Sequence, residues 1–168
     1  MKTFLVALAA LLLLCAGVAM AGSASKPLNV KAQVNANCNI TTADIDFGTY
    51  DPVSANVSTD ALASGGVALV CTKGATGVTV GLGLGGNASG SNRNMSNGTD
   101  ALHYELYQDA AHSTVWANAG AGLQTWAAFG TIASQGTGVS KTVYGRVFAA
   151  QDVSVGAYTD SVTATVNF

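Results

Sequence analysis

The stretch Leu28-Asn29-Val30-Lys31-Ala32-Gln33-Val34-Asn35-Ala36 alternates without a break: every odd partner is polar or charged, and every second residue is apolar. Side chains of a β-strand point alternately to opposite faces, so this segment reads as a strand with one apolar and one wet face. It stands just before a cysteine, close to the start of the exported chain. A terminal strand patterned this well needs a sheet edge to lie on, and the remaining residues must say whose edge that is.

The chain opens Met1-Lys2-Thr3, runs apolar from Phe4 to Leu14, and reaches Ala19-Met20-Ala21. A single positive charge, a short apolar run and a small-x-small end are the marks of a secretory signal peptide. The run is too short for a spanning helix. Cleavage after Ala21 leaves Gly22–Phe168; cleavage after Ala24 is the lesser option. Cys15 falls within the discarded peptide, since Leu14 is a poor small-residue match for a lipoprotein site. No later apolar stretch could span a membrane.

Cys38 and Cys71 then remain. Two cysteines in an exported chain most simply form one disulfide. Closing a loop of about 34 residues stabilises by roughly 3–4 kcal/mol in the chain-entropy picture. Charged residues make up only 10% of the chain, and losing Lys2 takes the formal net charge from −2 to about −3. No basic patch is present, so nucleic acid is not an expected partner.

Downstream the same alternation recurs in short pieces. Ile45 and Phe47 share a face before Gly48, and Tyr50-Asp51-Pro52 reads as a turn. Residues 53–64 read as loop or weak strand, and Gly65-Gly66 as the opening of a strand in which Val67, Leu69 and Cys71 point inward. Lys73–Gly77 is a turn. Val78, Val80, Leu82 and Leu84 line the next strand. Residues 87–100 read as a long exposed loop carrying Arg93 and Met95. Leu102, Tyr104 and Leu106 then alternate with His103, Glu105 and Tyr107. Gln108–His112 and Gln135–Gly138 turn the chain, Val143–Phe148 is a strand, and Val155–Tyr158 a bend. The last strand is Ser161–Phe168, with Val162, Ala164, Val166 and Phe168 on its apolar face. Short alternating strands separated by Gly, Asn and Ser turns, with no three-turn helix after the signal peptide, predict an all-β sandwich.

The chemistry of catalysis finds no footing. His103 and His112 sit in no triad motif, and no G-x-S-x-G elbow occurs. Two histidines and two paired cysteines do not make a zinc site. Asp44 and Asp46 flank Ile45 and read as its solvent face, and His103 as a solvated histidine on the wet face of its strand. Trp116 and Trp126 could stack a sugar, but core aromatics are the simpler reading. Gly81–Gly86 has the glycines of a phosphate loop without the helix such a loop needs. No enzyme, cofactor or metal site is expected. Asn39-Ile40-Thr41 and Asn97-Gly98-Thr99 fit the glycosylation pattern, which carries little weight if the host is bacterial.

One resemblance adds to this. Tyr144-Gly145-Arg146 and Gly156-Ala157-Tyr158-Thr159-Asp160-Ser161-Val162-Thr163-Ala164-Thr165-Val166-Asn167-Phe168 resemble the end of the spore coat protein U family. Cys38, Phe47–Asp51, Cys71-Thr72, Arg93-Asn94-Met95 and Leu102–Asp109 fit the same pattern in the same order. The pattern departs at Val147-Phe148-Ala149, where a proline-containing turn is expected. Members of the family resemble subunits of archaic, Csu-type chaperone–usher pili of Gram-negative bacteria. The resemblance implies an immunoglobulin-like sandwich over residues 38–168 that lacks its last strand. A periplasmic chaperone would fill the gap, gripping Val162, Ala164, Val166 and Phe168. The N-terminal segment of a related subunit, residues 22–37, would then replace it. In that role Leu28, Val30, Ala32 and Val34 form the donor face. The implied function is a structural pilus subunit, delivered through an outer-membrane usher to the cell surface for adhesion and biofilm formation. A spore or cell-surface coat protein, or a sugar- or surface-binding module, is the alternative.

Overall fold

The computed structural model describes residues 22–117, 127–136 and 138–168. The expected signal peptide and Trp126 lie outside the described residues. The chain divides into two units, Met1–Gln33 and Val34–Phe168.

In the first unit, residues 22–33 are exposed and take part in no strand. Leu28 and Val30 are each 87% exposed. Residues 28–36 keep the alternation but are assigned to no strand in the structure.

The second unit is all β. Its strands are β1 (Cys38–Ala43), β2 (Ala61–Cys71), β3 (Val78–Leu82), β4 (Arg93–Ser96), β5 (Ala101–Tyr107), β6 (Ala127–Gly130), β7 (Val139–Val147) and β8 (Ala164–Asn167). Five form one sheet in the order β1-β2-β7-β5-β4, and three form the other in the order β6-β3-β8. All pairings are antiparallel. Among the described residues no helix is long and apolar enough to cross a membrane.

The inward positions are those the alternation marked. Val67, Leu69 and Cys71 of β2, Val78, Val80 and Leu82 of β3, and Leu102, Tyr104 and Leu106 of β5 are all buried. Cys38 and Cys71 are disulfide-bonded at the first pair of the β1–β2 ladder. Trp116 has no exposed surface. Its backbone N–H donates to the Leu106 carbonyl of one sheet, and its indole N–H to the Val80 carbonyl of the other at 2.8 Å. It is a bolt between the layers, not a sugar platform.

Three sequence expectations need correction. Residues 87–100 are not one exposed loop. Arg93–Ser96 pair with β5, and Arg93 is fully buried. Its guanidinium forms an ion pair with Glu105 and donates to the carbonyls of Gly83, Leu82 and Trp116 at 2.8–2.9 Å. A charge enters a core only when paired and hydrogen-bonded, and this one is. Secondly, Gly65-Gly66 lie in the middle of β2 rather than at its start. Thirdly, His103 is not a solvated side chain. Its ring stacks on Phe148 at 4.7 Å, and Nδ1 donates to the Arg93 carbonyl at 2.9 Å. Asp44 and Asp46 are exposed as expected, though the segment after Ala43 belongs to no strand.

An open groove beside the edge strand β8

A three-stranded layer cannot cover a five-stranded one. β8 is the last strand of the smaller sheet, and beyond it no described strand lies over the inner face of the larger sheet, whose residues there are kept from solvent by the flanking segments. Two adjoining cavities of about 480 Å³ and 730 Å³ run along it. Their floor is made by inward residues of the large sheet, including Leu106 and Val143 in the first and Leu102 and Val147 in the second. One wall is the segment 42–52. The other is the segment 153–164, which includes Val162 and Ala164.

The first wall is held by shape. Ile45 and Phe47 pack against the core where two facing strands carry glycine. A Cβ on Gly65 would lie 2.6 Å from Ile45 Cγ1, and one on Gly145 would lie 2.6 Å from Phe47 Cζ. Both glycines occupy inward positions, so each leaves bare backbone on which the wall settles. Further along, the Tyr50 hydroxyl donates to the Phe148 carbonyl at 2.9 Å and accepts from the Gln151 N–H.

The second wall is held by polar clasps. Ser96 and Thr159 exchange both backbone hydrogen bonds. Asn97 Nδ2 donates to the Tyr158 hydroxyl at 3.0 Å, and the Asp100 carboxylate accepts from the Ser154 N–H at 2.7 Å. The hydrogen bonds from Ser154 hold the Asp100 carboxyl below its ordinary value. Where the wall turns into β8, the Asp160 carboxylate accepts from the Gly86 and Asn87 N–H groups and from the Tyr104 hydroxyl at 2.7 Å. Burial, then the bond to Asp160, raise Tyr104 far above the usual phenol range, so it stays a neutral donor. Gly85, at φ +94°, makes room for this carboxylate: a Cβ there would sit 1.8 Å from Asp160 Oδ2.

The predicted residues fall as follows. Val162, Ala164 and Val166 pack against the core, and the first and second of these line the groove. Phe168 instead remains 52% exposed, past the end of β8. Val34, in the second unit, is 81% exposed. Asn35 and Asn37, just beyond it, are clipped to Thr72: its hydroxyl donates to the Asn35 carbonyl and accepts from the Asn37 N–H. The groove itself is built largely of residues that periodicity marked only as core.

The fold and the groove define an immunoglobulin-like sandwich with one open edge. The chain belongs to the family described as Spore Coat Protein U domain, which matches residues 24–165. It is 36% identical over 164 residues to Protein U of Myxococcus xanthus, covering 89% of this chain and 88% of that protein. It is similar in fold to a chain in the crystal structure of the CsuC–CsuE chaperone–tip adhesion subunit pre-assembly complex, from archaic chaperone–usher Csu pili of Acinetobacter baumannii. That match has a TM-score of 0.55 and 22% identity, and covers 80% of this chain but only 40% of the other.

Proposed function

We propose that this protein is a structural subunit of a surface fibre, in which the alternating segment of one copy fills the groove of the next. The observation that carries this is the pairing of two unmet needs. The groove beside β8 offers apolar floor and an unpaired strand edge. Leu28, Val30 and Val34 offer an exposed apolar face with nothing on it. Strand addition satisfies both at once, with main-chain bonds giving affinity and alternate side chains giving specificity. Burying those three side chains contributes roughly 5–9 kcal/mol before ordering is subtracted, and Ala32 adds less.

The direction of insertion follows from the ends of the sandwich. Cys38 pairs with Cys71, and Thr79 with Asn167, so the clip at Asn35–Asn37 and the carboxy terminus share one end. A donor parallel to β8 would bring two such ends together and leave a third copy no place. An antiparallel donor places this end of one copy against the opposite end of the next, and the chain of copies can grow.

Exposed edges and apolar grooves aggregate. A periplasmic chaperone holding the groove until exchange, as the relative's pre-assembly complex suggests, meets that hazard. An outer-membrane usher then delivers the fibre to the surface of a Gram-negative cell, where adhesion and biofilm formation are its role. Residues 1–21 serve as the export signal, 22–37 as the donor segment and 38–168 as the receiving domain. A second reading, a spore or cell-surface coat layer assembled by the same exchange, is favoured by the family's description.

The test is a pair of substitutions. Val30→Asp puts an unpaired charge into the groove, which costs several kcal/mol, and should abolish fibres seen by electron microscopy. Lys31→Asp, on the wet face, should leave them. Normal fibres from the Val30 variant would overturn the donor assignment. Imaging vegetative cells and spores separately decides between pilus and coat.

A further inference from the structure

Asn97-Gly98-Thr99 lies in the turn between β4 and β5. Asn97 is half-buried, whereas Gly98 and Thr99 are exposed. Both polar atoms of the Asn97 carboxamide are engaged. Oδ1 accepts from the Thr99 and Asp100 N–H groups at 2.9 and 2.8 Å. Nδ2 reaches across to the second wall of the groove and donates to the Ser154 and Tyr158 hydroxyls at 3.1 and 3.0 Å. The Gly98 N–H donates to the Ser96 hydroxyl at 2.9 Å. A sugar on Nδ2 would have to displace the wall, so the fold gives this tripeptide another use.

Asn97-Gly98 is the one Asn-Gly pair in the sequence. Asparagine is a thermolabile residue, and it reacts fastest before glycine, which has no Cβ to screen its nitrogen or limit its rotation. The Gly98 nitrogen attacks Asn97 Cγ. The new N–Cγ bond closes a succinimide ring, the Cγ–Nδ2 bond breaks, and Nδ2 leaves as ammonia with the proton that Gly98 gives up. Water then adds to either ring carbonyl, yielding aspartate or isoaspartate. No oxidant or reductant is involved. In the folded chain each participant is held: the attacking N–H by Ser96, Oδ1 by the turn, and the leaving nitrogen by Ser154 and Tyr158. We propose that Asn97-Gly98 is a latent self-modification site, kept shut by the second wall and opened when residues 153–160 leave it.

The conversion runs one way. A carboxylate at position 97 has no hydrogen to give Tyr158, whose own proton goes to the Ser154 carbonyl. The Asp100 carboxylate already accepts the Ser154 N–H at 2.7 Å, so two like charges would then meet at one residue of the wall. Isoaspartate also lengthens the backbone of the turn. A wall once released is thereby marked as released, and it re-docks less firmly.

The test follows conversion at residue 97 by peptide mapping, with enzymatic methylation to count isoaspartate, in the purified exported chain at mildly alkaline pH. A site held shut reacts in proportion to the population of its open form. The folded parent should therefore convert at least tenfold more slowly than the same chain in denaturing urea. Ser154→Ala combined with Tyr158→Phe, folded by circular dichroism, should convert at least fivefold faster than the folded parent. Equal rates in folded and unfolded parent, or in the folded parent and the folded double variant, overturn the proposal. If the double variant does not fold, the parent in sub-denaturing urea takes its place. Conversion should then rise in step with hydrogen exchange at the Ser154 and Thr159 amides, both of which are clasped; a rise only with global unfolding overturns it. Asn97→Asp reads the one-way step: exchange at those two amides should quicken at least threefold, and unchanged exchange overturns that step.

Discussion

Replacing Glu105 by alanine should destabilise the domain more than any comparable change at its surface. The Arg93 guanidinium has no exposed surface, and Glu105 is its ion-pair partner. Glu105 Oε1 also accepts the Leu106 N–H at 2.9 Å. Removing the carboxylate leaves a buried cation without counter-charge, which costs about 3–5 kcal/mol. Glu105→Gln also strips the counter-charge but keeps a neutral acceptor, so somewhat less, about 2–4 kcal/mol, is expected. The three carbonyl bonds of Arg93 survive in both. Domain stabilities run to about 5–15 kcal/mol in total, so the alanine variant should be close to unfolding. With a urea m-value of about 2 kcal/mol/M, its midpoint should fall by about 1.5–2.5 M and that of the glutamine variant by about 1–2 M. Urea titration of the purified chain, followed by tryptophan fluorescence, reads both. An alanine variant within about 1 kcal/mol of the parent, or a glutamine variant worse than the alanine, would refute the account of a charge held in place by its partner.

Other changes test the groove walls and the cross-link. Gly145→Ala puts a Cβ 2.6 Å from Phe47 Cζ and should cost about 1–3 kcal/mol by overpacking, seen as a lower thermal midpoint; Gly136→Ala, whose nearest neighbour is 3.9 Å away, should leave it unchanged. Intact mass of exported protein should show residues 1–21 and two hydrogens missing, and reduction of Cys38–Cys71 should lower stability by roughly 3–4 kcal/mol in denaturant. Because Asp100 is depressed in the folded state by Ser154, its contribution is present above the unfolded carboxyl value and lost as pH falls through the lower folded one. Unfolding midpoints taken from about pH 5 down to about pH 2 should therefore flatten in Asp100→Asn.

Alternation alone located the inward residues of β2, β3 and β5, because a half-buried strand writes its faces into its sequence with period two. It could not reveal β4. Arg93-Asn94-Met95-Ser96 sits in a run of Gly, Asn and Ser, and what makes it a strand is its pairing with Ala101–Tyr104, with Glu105 holding the buried Arg93 side chain. Gly65-Gly66 misled for a related reason: glycine usually interrupts strands, and the close approach of the Ala43 carbonyl and Ile45 to Gly65 explains it here. His103 was placed on the correct face, but the stacking Phe148 that covers it lies past the end of another strand. The alternation of residues 28–36 was fully legible as a pattern.

The position of the disulfide has a mechanical consequence. Tension drawn along Asn35–Asn37 reaches the sandwich at Cys38, at the very start of β1. Without a bridge, such a pull would be borne by the ladder between β1 and β2 alone. The bridge to Cys71 stands on that first pair and passes the load covalently into β2. That strand is flanked on its far side by β7 from Ala61 to Leu69. Force now runs along this long ladder in shear, so its hydrogen bonds bear the strain together and must fail together.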